Sequence, residues 1–184
     1  MKPVTLKTDR LVLRPWRNDD FEAFAAMSAD PQVMRYLIPL NSRAESDAVA
    51  TTLKAYIETN GFGFWAMEIP GIAPFIGFTG LLRVGSAMPF APAVEVGWRL
   101  ARPHWGEGYA SEAARAALAF GFDTLELDEI VSMTVPANKR SQSVMQRIGM
   151  TRDETGDFKH SKLPDGDPLQ NHFLYRKARK AIRP

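Results

Sequence analysis

The segment Val94–Ala119, VEVGWRLARPHWGEGYASEAARAALA, constrains the fold of this chain more than any other. An apolar strand runs into a turn holding Gly106 and Gly108, and the turn opens directly into a helix of small residues. Ala110, Ala113, Ala114, Ala117, Leu118 and Gly121 fall at i, i+3, i+4, i+7, i+8 and i+11, one stripe of a helix. Side chains this short let the helix lie close against a sheet. The two glycines allow backbone conformations closed to other residues. The first amides of such a helix have no intrahelical acceptor, and its dipole adds positive charge at the same end. That end is an anion site, and a pyrophosphate suits it. Gly-x-Gly alone is equally a tight turn with no ligand. The dinucleotide pattern needs a third glycine at position 111, where Ser111 stands, and the Gly-Lys-Ser/Thr of P-loops is missing.

The rest of the chain reads as short alternating elements. Leu11–Arg14 is a strand, and Asp19-Asp20 offers an N-cap to a helix carrying Phe21, Phe24 and Ala25 on one face. Ser42 and Glu45 have capping-box spacing, which starts a second helix that runs to about Glu58. Three strands are expected at Phe64–Ile69, Phe75–Val84 and Val94–Leu100, with Gly71 and Pro74 at the first turn. Glu129–Val135 is another strand. Asn138 caps a helix with Ser141, Val144, Met145 and Ile148 on one face, and Gly149 suits the C′ position. Strands near Met150–Glu154 and His172–Lys177 flank a polar loop with a turn at Asp165-Gly166. This is a mixed α/β domain. Repeated βαβ alternation is missing, which disfavours a doubly wound nucleotide fold. At 184 residues, one domain over 1–184 is expected.

Composition removes several classes of function. There is no cysteine, which excludes a disulfide framework, a zinc-thiolate site and a cysteine nucleophile. A net charge of +2 gives no electrostatic argument for nucleic acid, and the basic run Arg176–Arg183 reads as a solvated end. Neither a signal-peptide pattern at Met1–Arg10 nor an apolar run long enough for a membrane helix is present in the sequence. A cytoplasmic protein without membrane or nucleic-acid partners is expected. His160 and His172 lack metal-ligand spacing with acids, so no metal is expected.

Four segments together resemble the GNAT superfamily of acetyl-CoA-dependent N-acetyltransferases, and within it the branch of RimJ and RimL. They are Thr8–Pro15 (TDRLVLRP), Glu95–Trp98 (EVGW), Trp105–Ala110 (WGEGYA) and Asn138–Met150 (NKRSQSVMQRIGM). The family's pyrophosphate motif is Gln/Arg-x-x-Gly-x-Gly/Ala. Gly108 and Ala110 match its last two places, and Trp105 stands where Gln or Arg is usual. The resemblance covers nearly the whole chain in order. It implies a central twisted mixed sheet with splayed middle strands, flanked by about four helices. It implies acetyl-CoA as co-substrate, with its pyrophosphate on Trp105, Gly106, Glu107, Gly108, Tyr109 and Ala110. Its pantetheine arm would lie on the strand edge Trp98, Arg99 and Leu100, with Asn138 in contact. The acceptor would be a protein N-terminal α-amine or a small-molecule amine.

Acetylating an amine requires a base, because α-amines and lysines are mostly protonated at neutral pH. Glu95, flanked by Val94 and Val96 in the strand that leads to the turn, is the candidate. Burial would raise its pKa toward the working range; the competing role is an outward-facing glutamate. Ser141 is the candidate acid or thiolate partner, against a serine that only satisfies backbone. The family often has a tyrosine where Met145 stands. Asn138 caps its helix, binds the cofactor, or does both through different atoms. Arg102, Lys139 and Arg140 read as solvated charges before phosphate ligands, and His104 as a turn residue. Phe62, Phe64, Trp65, Phe75 and Phe78 read as core. Acceptor choice would fall to the loops Ile38–Ser42, Gly85–Pro92 and Gly156–Gln170. A non-catalytic acetyl-CoA-binding module that reports cofactor level is the alternative. No motif sets the acceptor or the oligomeric state.

Overall fold

The computed structural model describes residues 2–161 and 163–179. Eight strands form one sheet: β1 (Leu6–Lys7), β2 (Val12–Arg14), β3 (Phe64–Ile69), β4 (Ala73–Arg83), β5 (Val94–Leu100), β6 (Glu129–Thr134), β7 (Thr151–Lys159) and β8 (Asn171–Ala178). The helices are α1 (Asp20–Ala29), α2 (Pro31–Met34), α3 (Arg43–Asn60), α4 (Tyr109–Asp123) and α5 (Lys139–Arg147). The order across the sheet is β1-β2-β3-β4-β5-β6-β8-β7. Neighbours run antiparallel except β5 and β6, which are joined through α4 and run parallel. The mixed α/β sheet flanked by helices is therefore as expected, and β1 and α2 are additions. The short α2 is signalled by Asp30 before Pro31: the Asp30 carboxylate accepts from the Gln32 amide at 2.8 Å.

Helix α4 packs on one face of the sheet. Its Phe120 meets Trp65 edge to face at 5.5 Å. A Cβ at Gly121 would lie 2.6 Å from Ile130 and 2.9 Å from Leu81, so only glycine lets the helix sit this close. Helix α1 covers the opposite face, with Phe24 centred 6.1 Å from Phe78. Alternation along β5 divides its residues between these layers. Val96 and Leu100 are buried with the α4 core, while Glu95, Gly97 and Arg99 point to the α1 side. The five expected core aromatics take part in packing, Phe64 remaining partly exposed.

Capping follows the sequence in two helices of three. Ser42 accepts from the Glu45 amide at 3.1 Å, and the Glu45 carboxylate accepts from the Asn41 amide at 2.8 Å. Asn138 accepts from the Ser141 amide at 3.2 Å, and Gly149 has φ +78°. At α1 the expected cap is not made: the Asp19 side chain forms no capping bond. Asp20 instead accepts from the Arg17 amide and turns inward to Arg14. The basic run at the end is also corrected. Arg176 and Lys177 belong to β8, where Arg176 pairs with Asp153 at 2.7 Å and Glu129 at 2.6 Å, and Lys177 donates to the Ile148 carbonyl. Residues 180–183 of that run lie outside the described residues.

Arg14 ties β2 to three other segments. It is 4% exposed. Its guanidinium donates to both Asp20 carboxylate oxygens at 2.8 Å, to Glu68 at 2.6 Å and to the Pro74 carbonyl at 2.6 Å. A buried ion pair gains little over a hydrophobic isostere, but breaking one strands a charge. Arg14→Ala should therefore cost about 3–5 kcal/mol by leaving Asp20 buried and unpaired, read as a lowered urea midpoint with unchanged m.

Candidate active site

The site is built where β5 and β6 part. Their ladder has one registered pair, Glu95 with Val131, reinforced by the Ser132 hydroxyl donating to the Val96 carbonyl at 2.8 Å. Beyond it, residues 97–100 of β5 stay paired with β4 and have no β6 partner. A gap thus opens along Trp98–Leu100, the edge at which the pantetheine arm is expected. Its far end is closed by Trp105, whose indole N–H donates to the Leu100 carbonyl at 2.8 Å.

The turn that follows is shaped by glycine. Gly106 has φ +88° and Gly108 φ +83°, values other residues reach only with strain. Gly108 is the N-cap of α4 and offers no side-chain acceptor, so the leading amides of the helix stay available. Glu112 first bonds back to the Gly108 carbonyl, at 3.0 Å. The competing idea of a turn that satisfies its own amides is thus met by an uncapped helix end.

Sequence reasoning missed what holds this turn. The Glu112 carboxylate accepts from Thr8 at 2.6 Å, from the Arg10 amide at 3.0 Å and from Arg10 Nε at 2.7 Å. Arg10 also donates to the Glu107 carbonyl at 3.0 Å and lies over the Tyr109 ring at 4.6 Å. Partial burial pushes the Glu112 carboxyl up, but the bonds from Thr8 and Arg10 outweigh it and hold it below the usual value. The Thr8–Arg10 end of the opening segment is thus a clamp on α4. Its signal was available as the unexplained polar triplet Thr8-Asp9-Arg10 ahead of an apolar strand.

On the other side of the gap, β6 leads to Asn138 and α5. The Asn138 Oδ1 is spent on the Ser141 amide, which leaves its Nδ2 as a donor. Ser141 is half-buried in the first turn of α5. Met145 is 1% exposed and sits in the core, so the helix supplies no phenol there. Arg140 stacks over Trp105 at 4.5 Å and bridges the starts of α5 and α4. Its side chain stays exposed, as a solvated charge would. Arg102 pairs with Asp30 at 3.1 Å, and His104 lies 6.5 Å from Tyr109.

Glu95 lies at the point of divergence. It is half-buried, and burial pushes its carboxyl up to about 7. A carboxyl with that pKa exchanges protons at neutral pH. The expected acceptor loops are partly joined: Phe90 of the β4–β5 loop packs on Phe158 at 5.1 Å. Gly156–Gln170 is less of a loop than expected, since β7 continues to Lys159.

Comparison with known proteins identifies the family. The acetyltransferase (GNAT) domain family matches residues 10–151. The uncharacterized N-acetyltransferase YnaD of Bacillus subtilis is 32% identical over 92% of this chain and 94% of its own length. The FsC-acetyl coenzyme A-N(2)-transacetylase of Aspergillus fumigatus is 30% identical over 88% of this chain and 71% of its own length. A crystal structure of an acetyltransferase from Agrobacterium tumefaciens is 32% identical with TM-score 0.77, covering 96% of this chain and 95% of that one. The chain belongs to the GNAT family of acetyltransferases, whose members take their acetyl group from acetyl-CoA.

Gly108→Asp places a carboxylate beside the uncapped amides and forces a side chain into a positive-φ position. Acetyl-CoA affinity should fall tenfold or more, about 1.4 kcal/mol per decade, by calorimetry on the folded variant.

Proposed function

We propose that the protein carries acetyl from acetyl-CoA directly to a primary amine, of a protein N-terminus or a small molecule. The observation that carries this reading is the Glu95 carboxyl, held near 7 at the mouth of the β5–β6 gap. In this reading the amides of Gly106–Ala110 hold the pyrophosphate, and Trp105 and Glu107 contribute through the turn they build. The open edge of Trp98, Arg99 and Leu100 pairs with the pantetheine amides, and Asn138 Nδ2 donates to the same arm.

Glu95, ionised above pH 7, takes a proton from the ammonium form of the acceptor, directly or through water. The neutral amine attacks the thioester carbonyl, and backbone N–H groups of β5 are the available donors for the oxyanion. Collapse expels the thiolate, and the second proton of the attacking nitrogen passes to it. Thiols ionise within a few units of neutrality, as a cysteine does at roughly 8.5, so the leaving group needs little help from an acid. Ser141 orients the sulfur or relays that proton to it; a hydroxyl is a poor acid, so orientation is the lesser demand. Met145 in place of tyrosine is compatible with this division of labour, and with it the non-catalytic sensor is the weaker reading. The RimJ/RimL-like assignment rests on Thr8–Pro15, Glu95–Trp98 and Asn138–Met150, and a cytoplasmic setting goes with it. Among the described residues no helix is long and apolar enough to cross a membrane.

Initial rates against acetyl-CoA and an amine should give intersecting lines, because the chain has no cysteine to hold the acetyl group. Parallel lines with an acetylated protein mass would sink direct transfer. CoA release with a panel of amines tests the activity itself; binding of acetyl-CoA without release would favour the sensor.

Glu95→Gln should lower kcat/KM by roughly 10²–10⁴ at neutral pH, with the deficit shrinking as pH rises and free amine accumulates. The parent profile should rise through an inflection near pH 7 that the variant lacks. A second consequence is thermodynamic. A carboxyl whose folded pKa lies above its unfolded value contributes stability at low pH, lost as pH rises from about 4.3 through 7. The variant should therefore melt above the parent at pH 8, and the two should converge below pH 4. A raised KM with constant kcat would instead make Glu95 an anchor for a cationic acceptor.

A further inference from the structure

Arg14 and Arg99 both turn inward and are treated in opposite ways. Arg14 is met by Asp20, Glu68 and the Pro74 carbonyl. Arg99, on the α1 face of β5, has its Nε and Nη1 fully buried without a hydrogen-bond partner. Its guanidinium rests on Phe78 at 5.3 Å and Phe24 at 5.9 Å, and no carboxylate among the described residues shifts its pKa, which burial alone pushes down to about 10. Aromatic faces attract a cation but accept no N–H in its plane. Arg99 as a whole is half-buried, but two of its nitrogens are out of water with open donors, which is costly unless an acceptor completes them.

The neighbours indicate where such an acceptor comes from. Glu95, Gly97 and Arg99 alternate onto one face, so the candidate base and the unpaired cation are four residues apart, roughly 13 Å along the strand. Between them stands Gly97, and the Phe64 ring fills the space its side chain would take: a Cβ there would lie 2.8 Å from the ring. Phe64 stacks on Phe78 at 5.3 Å and remains partly exposed. The strip therefore runs carboxylate, aromatic floor, guanidinium.

We propose that Arg99 is a specificity-determining residue, and that the acceptor is a small amine carrying a carboxylate at the far end of an apolar spacer. The amine meets Glu95, the spacer lies on Phe64, and the carboxylate pairs with the Arg99 guanidinium, the group best matched to it in shape and charge. This deepens the acetyltransferase reading and rests on it.

The test uses the full chain with acetyl-CoA and a series of ω-amino carboxylates of increasing length. Each is paired with the alkylamine of the same length. The parent should prefer the carboxylated member roughly ten- to a hundredfold in kcat/KM at the best length, the range of one charge-assisted pair. In Arg99→Met the ratio should fall to about one through KM, and in Arg99→Lys it should be partly kept. Acetyl-CoA affinity is followed by calorimetry, because the Arg99 backbone lies on the edge assigned to the co-substrate. Arg99→Met should also melt higher, since it removes an uncompensated cation; circular dichroism checks that both variants fold. A parent ratio near one, or a ratio that survives Arg99→Met, overturns the proposal. Weakened acetyl-CoA binding with the ratio intact would assign Arg99 to the co-substrate instead. Preference confined to peptides with an acidic second residue would overturn the small-amine assignment. If acetyl-CoA binds and alkylamines turn over without preference, only this inference fails; if acetyl-CoA does not bind, the reading beneath it fails too.

Discussion

The separation of β5 from β6 after a single registered pair is the constraint on which the site depends. Two parallel strands joined by a helix ordinarily continue side by side. Here the ladder stops at Glu95 and Val131, and the β5 backbone keeps only its β4 partner from Gly97 to Leu100. Polar backbone groups along that edge need partners. A linear molecule bearing amides can supply them, which makes an incomplete sheet a binding surface. The same divergence leaves Glu95 at the junction between packed sheet and gap, where burial raises its pKa.

A gap alone would not hold an anion at one end. That depends on α4 beginning without a side-chain cap and on the turn before it being fixed from outside. Glu112 and Arg10 do this work together. Arg10 pairs with Glu112, bonds the Glu107 carbonyl and covers Tyr109, so a residue near the start of the chain fixes the glycine turn. These contacts are partly exposed, and each alone would be worth little. Their joint effect is to choose one conformation for a loop that glycine leaves free.

Much of this was legible in sequence because it is local. The small-residue stripe of α4, the capping box at Ser42 and the Asn138 cap each obey rules that span a few residues, and each formed. The failures came from distance. Asp20 stands where a cap is expected, but Arg14 outbids the helix amides for its carboxylate, and no rule of spacing reveals that partner. Arg176 reads as tail until Asp153 and Glu129 come beside it in β8. Likewise the polar triplet Thr8-Asp9-Arg10 stands out in sequence, but nothing local names Glu112, a hundred positions on, as the target of Thr8 and Arg10. The gap itself is a property of register, which the sequence of neither strand contains.

Arg99 lies at the limit of what either source offers. In sequence it is one residue of an edge whose backbone was the expected ligand. In the fold its side chain points away from that edge, onto the face shared with Glu95 and Phe64. A strand can thus serve two substrates at once: its backbone edge for one and its alternate side chains for the other. The proposed arrangement fits glycine at position 97, where a Cβ would lie 2.8 Å from the Phe64 ring. It also separates the two kinds of specificity physically. In the proposed function the acetyl donor would be read by main-chain groups that substitutions leave in place, and the acceptor by side chains that one substitution can replace. A fold divided in this way can keep its donor and change its acceptor without rebuilding the sheet.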